Sequence, residues 1–203
     1  MKLVTYLYEG RECVGCLTAD RIQEMNVESV LAFIRNPVAR PGIKSVALKD
    51  VKLLSPVPRP PSMRDGYAFR QHVATARRNR GLDMIPEFDQ FPVFYFTNHQ
   101  AVTGPGDVAV QKEHLNKLDF ELEVAIVVGK EGRNIKVAQA DEYIFGYTIM
   151  NDWSARALQM EEMKLNLGPA KGKDFATSLG PWLVTRDELL ESGRLKKTPR
   201  GEV

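Results

Sequence analysis

Two glutamates at the start of an apolar segment have a spacing that suits the binding of a metal ion. Glu121 and Glu123 stand on either side of Leu122 within residues 118–130, where aliphatic side chains predominate and a β-strand is predicted. Alternate side chains of a strand share a face, so the two carboxylates are expected side by side, about 6–7 Å apart along the strand. A hard divalent cation relieves their mutual repulsion, since carboxylate oxygens are its preferred ligands. The alternative interpretation is a charged strand end that faces solvent.

The apolar residues that alternate with these glutamates predict how the strand packs. Phe120, Leu122, Val124 and Ile126 form a continuous apolar face. We expect this face to point into the protein core, with the glutamates on the opposite side of the strand.

A third carboxylate, Asp152, ends a second predicted strand over residues 143–152. A helix is predicted to follow it and to end near Gly168, so that a polar group two turns along lies on the same side as Asp152. The residues that share this helix face are Asp152, Arg156, Gln159 and Met163.

A fourth carboxylate, Asp65, lies seven positions before His72 within a helix predicted to run from residue 62 to about residue 80. That offset places both side chains on one helix face, about 10 Å apart along the axis. The gap leaves room for a water molecule between a metal ion and a histidine that acts as a base. The alternatives are an ordinary helix-capping role for Asp65 and a structural or surface role for His72.

The elements that must position these side chains divide into two predicted parts. Prolines within residues 56–61 interrupt regular structure and resemble a linker, so a small N-terminal module is predicted at 1–55 and the main domain at 56–203. The remaining predicted elements are strands at residues 2–8, 12–17, 46–54, 92–96 and 181–185 and a helix at residues 27–36.

Composition excludes several classes of function. The chain has 203 residues, of which 43% are hydrophobic, and a net charge of +2, which gives no reason to expect nucleic-acid binding. No apolar run approaches the length of a membrane-spanning helix, and the N-terminus does not resemble a signal peptide. Cys13 and Cys16 are too few for a disulfide framework, which favours a cytoplasmic location.

Four segments, in this order, resemble the motifs of the fumarylacetoacetate hydrolase family. They are RDGYAFRQH at residues 64–72, LDFELE at 118–123, NDWSAR at 151–156 and GKDF at 172–175. The resemblance covers about residues 58 to 185, and the region before residue 56 is similar, more loosely, to the N-terminal module of bacterial members. It implies an α+β, mainly β fold, a mixed β-sheet roll, which is usually a homodimer and binds a divalent cation.

The resemblance also implies a role for each matching residue. His72 corresponds to the base that activates water, and Lys173 and Gln159 to the groups that stabilise negative charge on oxygen. The implied substrate contacts are Tyr67, Tyr95, Gln159 and Thr177. The implied ligands of the cation, which is Mg²⁺ with Mn²⁺ or Ca²⁺ as alternatives, are Asp65, Glu121, Glu123 and Asp152.

The implied function is hydrolysis of a carbon–carbon bond in a 1,3-dicarbonyl acid such as fumarylacetoacetate or an acylpyruvate. The retained His72 favours this over the alternative within the family, an isomerase, decarboxylase or hydratase of 2-oxo-diacids in aromatic catabolism. Family members continue beyond the point that corresponds to Val203, and that continuation carries the carboxylate that orients the base. We therefore expect a chain that is incomplete at its C-terminus, and a non-catalytic metal-binding remnant is the third alternative.

Overall fold

The computed structural model describes residues 1–38, 41–166, 168–198 and 201–202. Its α-helices are α1 (Val30–Arg35), α2 (Arg70–Arg78), α3 (Arg156–Met163) and α4 (Arg186–Glu191). Its strands are β1 (Lys2–Tyr8), β2 (Arg11–Thr18), β3 (Arg21–Met25), β4 (Pro41–Ala47), β5 (Lys52–Leu53), β6 (Arg64–Asp65), β7 (Tyr95–Phe96), β8 (Val102–Thr103), β9 (Leu118–Asp119), β10 (Leu122–Val128), β11 (Ile144–Asp152), β12 (Ser154–Ala155), β13 (Thr177–Thr185), β14 (Lys197–Thr198) and β15 (Gly201–Glu202). Turns of 3₁₀-helix occupy Leu48–Asp50, Pro86–Asp89, Lys112–Leu115 and Val137–Tyr143.

A nine-stranded sheet carries most of these strands, in the order β10-β11-β13-β1-β2-β3-β4, with β5 beside β1 and β8 beside β13. The pairs along this order are antiparallel, whereas β8 runs parallel to β13. β6 and β7 form a separate small ladder, as do β9 and β12. The predicted fold class, mainly β with few helices, is confirmed.

The N-terminal strands belong to the same sheet as the strands that follow residue 118. Leu3 of β1 lies directly opposite Leu183 of β13. The start of the predicted linker is buried against the sheet: Val57 is only 4% exposed, and the Thr5 hydroxyl donates to the Pro56 carbonyl. The sheet contains strands from both sides of the proposed boundary at residue 55, and the division of the chain into two domains stays a prediction.

Both faces of β1 are buried, which makes this strand the centre of the core. Leu3 packs on one side with residues of β2, α1 and β13, whereas Val4 and Tyr6 contribute to a cluster on the other side. The strands predicted at residues 2–8 and 12–17 are present as β1 and β2, which pair as a hairpin with Glu9 and Gly10 at positive φ in its turn. The predicted helix after it is α1, which Ser29 caps by accepting the Ala32 amide.

Three predicted elements differ from the structure. The helix expected from residue 62 begins only at Arg70, because residues before it pair with β7 instead. A side chain at Gly66 would collide with the Val93 carbonyl, so this glycine permits that close approach. The strand expected over 46–54 is interrupted by a 3₁₀ turn. The strand expected at 92–96 shortens to β7, whose Phe96 is 65% exposed.

The predicted core face of β10 is also wrong, since it points away from the protein. Its exposed fractions are Phe120 64%, Leu122 74%, Val124 70%, Ile126 54% and Val128 62%. The side that carries Glu123, Ala125 and Val127 is partly buried, and Val127 on this side packs against the core cluster around Leu3. Alternation showed that the strand has two faces but not which of them is covered. Among the described residues, no helix is long and apolar enough to cross a membrane.

Candidate metal and active site

Three carboxylates from separate strands converge at one end of the large sheet. Asp65 comes from β6, Glu123 from β10 and Asp152 from the end of β11, and one oxygen atom of each lies within 4.8 Å of the others. β6 reaches the site because Asp65 pairs with Tyr95 in the ladder with β7. The arrangement provides oxygen donors alone, which is the ligand type that Mg²⁺, Mn²⁺ and Ca²⁺ prefer.

The carboxylates have fewer hydrogen-bond donors around them than their oxygen atoms can accept. The Tyr95 hydroxyl lies 2.9 Å from Asp65 Oδ2 and 2.9 Å from Asp152 Oδ2, yet it has one proton to donate. Asp152 is 1% exposed, and its Oδ1 is buried with no hydrogen-bond partner in the described structure. A buried carboxylate oxygen without a partner is costly, so the residues present fit a bound divalent cation.

Crowding raises the pKa of two of these carboxyl groups. Burial, followed by the charges of Asp65, Asp152 and Glu121, raises the pKa of Glu123 to about 8. Burial also raises the pKa of Asp152 to about 6, although its hydrogen bond to Lys173 acts in the opposite direction. Carboxyl groups that resist ionisation in this way become anionic readily when a metal ion binds.

Glu121 faces two cationic side chains rather than joining the three converging carboxylates. Its Oε2 lies 2.5 Å from Lys173 Nζ, and its Oε1 lies 2.7 Å from Arg156 Nη2. Burial works against ionisation, but Lys173 and Arg156 outweigh it and hold the pKa of Glu121 below its usual value. Glu121 and Glu123 are both partly buried while Leu122 between them is exposed, as expected for one face; metal binding by Glu121 stays a prediction.

Lys173 is buried, although it lies in a loop between α3 and β13. Only 4% of it is exposed, and its ammonium lies 2.5 Å from Asp152 Oδ2. Glu162 of α3 holds the loop, since its two carboxylate oxygens accept hydrogen bonds from the Lys171 and Gly172 backbone amides, at 2.8 Å each. A side chain at Gly172 would meet Gln159 at 2.7 Å, so glycine lets the loop approach α3 closely.

Arg156 connects α3 to the strand that carries the glutamates. Its Nε donates to Asp119 Oδ2 at 2.9 Å, its Nη2 pairs with Glu121, and its Nη1 donates to Gln159 Oε1 at 3.2 Å. The shared helix face predicted for Arg156 and Gln159 is therefore present, although Asp152 precedes the helix. Local patterns did not indicate the Arg156–Asp119 pair, because the two residues are 37 positions apart. They did not indicate the role of Glu162 either, because its partners are backbone amides rather than side chains.

The other predicted site residues differ in how deeply they are buried. Thr177 is 2% exposed and stands directly opposite Asp152 where β11 pairs with β13. Tyr67 is 55% exposed and stacks on Phe88, with ring centroids 6.3 Å apart. His72 is exposed on α2, and it does not share a helix with Asp65, so the helical argument that joined these two residues is wrong.

A comparison with protein-family models identifies the chain. The model of the C-terminal domain of fumarylacetoacetate (FAA) hydrolase matches residues 62–200. The chain belongs to the fumarylacetoacetate hydrolase family. All three converging carboxylates, together with Lys173, lie within the matched residues of this fumarylacetoacetate hydrolase family member.

Relatives of this family member include enzymes with different reactions. It is 34% identical to oxaloacetate tautomerase YisK of Bacillus subtilis (strain 168) over 173 residues, which cover 83% of this chain and 54% of that protein. It is 35% identical to human fumarylacetoacetase over 146 residues, covering 62% of this chain and 35% of the human protein. The chain thus spans about half, or less, of the length of these relatives.

Solved structures show the same fold. The 5-carboxymethyl-2-hydroxymuconate delta-isomerase of Mycobacterium smegmatis aligns with a TM-score of 0.68 and 27% identity, covering 92% of this chain and 67% of that one. Maleylpyruvate hydrolase of Sphingobium sp. SYK-6, in complex with manganese(II) ion and pyruvate, aligns with a TM-score of 0.62 and 20% identity, covering 92% and 68%. The latter likeness shows the fold alone. The family includes hydrolases, isomerases and a tautomerase, and the acidic cluster in this member can hold a divalent cation.

Proposed function

We propose that the protein is a metal-dependent enzyme that hydrolyses a carbon–carbon bond in a 1,3-dicarbonyl acid of the fumarylacetoacetate or acylpyruvate type. The observation that carries this proposal is the convergence of three carboxylates beside the buried ammonium of Lys173. Such a reaction needs anionic ligands for a hard cation and a positive group beside a developing anion. Relatives with hydrolase activity, such as human fumarylacetoacetase, support it.

The proposed ligands are Asp65, Glu123 and Asp152, with Glu121 as the fourth carboxylate of the set. Because every donor is an oxygen atom, Mg²⁺ is our first choice, and Mn²⁺ or Ca²⁺ are the alternatives. When bound, the cation supplies Lewis-acid polarisation of the substrate oxygens.

The proposed roles of the protein side chains follow from the electron flow. His72 accepts a proton from water while the hydroxide adds to a carbonyl carbon, and Lys173 with Gln159 stabilises the negative charge on that oxygen. The carbon–carbon bond then breaks, its electron pair remains on the leaving enolate, and protonation of that enolate completes the products. The proposed substrate contacts are Tyr67, Tyr95, Gln159 and Thr177.

A second candidate is tautomerisation or isomerisation of a 2-oxo-diacid. Two observations favour it: the relative that covers 83% of the chain is an oxaloacetate tautomerase, and His72 is exposed on a helix that carries none of the three converging carboxylates. This reaction moves a proton between carbon and oxygen within one molecule and needs no attacking water. Lys173, which lies among the carboxylates, is the proposed acid in that case.

Turnover assays on the purified chain distinguish these functions. Fumarylacetoacetate, an acylpyruvate and oxaloacetate are each tested with Mg²⁺, with Mn²⁺ and with a chelator. Product analysis then distinguishes cleaved acids from the tautomer of the intact substrate. We expect cleavage that requires the cation and that Asp152→Asn abolishes. Asp107→Asn, at an exposed position outside the cluster, is the control. Tautomerisation without cleavage would replace the first candidate by the second.

His72 separates the two candidates independently. If it is the base, His72→Ala lowers the cleavage rate by roughly 10²–10⁴. The neighbouring exposed residue of α2, in the variant Gln71→Ala, is the matched control. Full activity of the His72 variant would contradict the hydrolytic mechanism.

A homodimer and a cytoplasmic location, both predicted from the sequence, also belong to this proposal. Sedimentation of the purified chain and fractionation of cells test them.

A further inference from the structure

A buried threonine near the acidic cluster has a hydroxyl group that no other group in the described structure engages. Two buried side-chain oxygen atoms in the described part of the chain lack a hydrogen-bond partner, Asp152 Oδ1 and Thr97 Oγ1. Asp152 belongs to the acidic cluster, whereas the proposed mechanism makes no use of Thr97, which is 8% exposed. A buried hydroxyl without a partner is destabilising, so it indicates a position at which a ligand supplies the partner.

Thr97 follows β7 directly and lies on the same side of that strand as Tyr95. Side chains alternate along an extended chain, and burial alternates with them: Tyr95 is partly buried, Phe96 is 65% exposed and Thr97 is buried. The Tyr95 hydroxyl lies 2.9 Å from an oxygen atom of Asp65 and 2.9 Å from an oxygen atom of Asp152. The Thr97 hydroxyl is therefore on the side of the strand that faces the acidic cluster.

The backbone around Thr97 is fixed by its neighbour, Asn98. The Asn98 side-chain amide donates to the Asp174 carbonyl at 3.0 Å, and its side-chain oxygen accepts a hydrogen bond from the Gln100 backbone amide at 3.0 Å. Asp174 comes directly after Lys173, so these bonds join the Thr97 segment to the loop that carries the buried ammonium. Threonine is also stiff about χ1, because it is branched at Cβ. The hydroxyl is thus held in place before a ligand binds.

We propose that Thr97 is a substrate-binding residue whose hydroxyl donates a hydrogen bond to an oxygen atom of a 2-oxo acid group. This inference rests on the proposed function, since it takes the ligand to be an oxo acid. Tyr95 contacts two of the proposed cation ligands, so Thr97 lies on the side of the proposed cation site. The oxygen atoms of an anionic acid need hydrogen-bond donors among these carboxylates, and a threonine hydroxyl provides one donor to one oxygen atom.

Calorimetric titration with pyruvate tests this contact, because pyruvate contains the 2-oxo acid group but no second carbonyl group to be cleaved. Thr97→Val replaces the hydroxyl by a methyl group of similar size. At saturating Mn²⁺, we expect this variant to raise the dissociation constant for pyruvate by roughly 10- to 100-fold. Thr97→Ser keeps the hydroxyl and should restore most of the affinity. The affinity for Mn²⁺ itself should be unchanged in both variants.

The stability of the ligand-free protein provides an independent test. Because the Thr97 hydroxyl has no partner there, Thr97→Val should raise the melting temperature by about 2–4 °C while it weakens pyruvate binding. The matched control is Thr5→Val in β1, because the Thr5 hydroxyl is also buried but donates to the Pro56 carbonyl at 2.9 Å. This control should lower the melting temperature and leave pyruvate binding unchanged.

The outcomes separate this contact from the proposed function. Equal pyruvate affinity of Thr97→Val and the wild type would overturn the contact alone. A lowered melting temperature of Thr97→Val would also overturn it, because the hydroxyl would then have a partner, such as a trapped water molecule, in the free protein. So would an equal loss of Mn²⁺ affinity, which would assign the hydroxyl to the cation site. A wild-type protein that binds neither pyruvate nor an acylpyruvate with Mn²⁺ would overturn the proposed function, and this inference with it.

Discussion

Lys173 and Asp152 form a buried ion pair, with Nζ 2.5 Å from Oδ2 and the residues 4% and 1% exposed. The same ammonium lies 2.5 Å from Glu121 Oε2, so one positive charge serves two carboxylates. Asp65 and Glu123 lie close by without a cationic partner of this kind in the described part of the chain. The charge balance of the site is therefore incomplete, and the first two predictions depend on that imbalance.

Removing the ammonium should destabilise the protein. Lys173→Met keeps most of the side-chain volume but leaves Asp152 and Glu121 without their shared cationic partner. Because the pair is buried, we expect the free energy of unfolding to fall by about 3–5 kcal/mol. Urea denaturation of the metal-free chain measures the change. Lys171→Met, at an exposed position in the same loop, should change the free energy of unfolding by less than about 0.5 kcal/mol. Similar effects of the two variants would show that the buried pair does not stabilise the fold.

Metal affinity should increase between pH 6 and pH 8. Glu123, whose pKa is raised to about 8, is protonated at pH 6 and must release its proton when a cation binds. Below that pKa, affinity should fall by roughly tenfold for each pH unit. Calorimetric titration with Mn²⁺ at several pH values measures this. Glu123→Gln should bind more weakly and with a shallower pH dependence; an unchanged slope would assign the proton to another group.

Glu123 should also make the stability of the metal-free protein depend on pH. A carboxyl group with a raised pKa stabilises the folded state below its unfolded pKa of about 4.5, and this contribution is lost as pH rises through about 8. We expect the melting temperature of the metal-free protein to fall between pH 6 and pH 8. Saturating Mn²⁺ should abolish that fall. A melting temperature that rises over this range would contradict the raised pKa.

Glu162 should hold the loop that carries Lys173. Glu162→Gln weakens the charge-assisted bonds that the carboxylate accepts from the Lys171 and Gly172 amides, so these amides should exchange hydrogen faster. Turnover should fall as Lys173 loses its fixed position. Glu161→Gln is the matched control, since Glu161 is exposed and pairs only with Lys164 among the described contacts. Equal exchange rates in both variants would show that the loop is held by other contacts.

The part of the structure that local patterns determine was predicted well. The β1–β2 hairpin and strands β10 and β11 follow from alternation and turn residues that neighbour each other in sequence. The position of Asp65 could not be predicted from local patterns, which favoured a helix there. Asp65 lies in a strand instead, because it pairs with Tyr95, thirty residues later in the chain. The covered side of β10 depends on which elements pack there, and the spacing of side chains carries no such information.

The pairing of β1 with β13 has a consequence for how the protein assembles. Leu3 meets Leu183 across a sequence separation of 180 residues, so the central strand of the sheet acquires this neighbour only after almost the whole described chain has been synthesised. Contacts between such distant residues form slowly, because closing a long loop precedes any gain from burial. β13 also supplies the neighbour of β11, the strand that ends in Asp152. We therefore expect the acidic cluster to form late in folding, so that metal binding during refolding should report the last stage rather than the first.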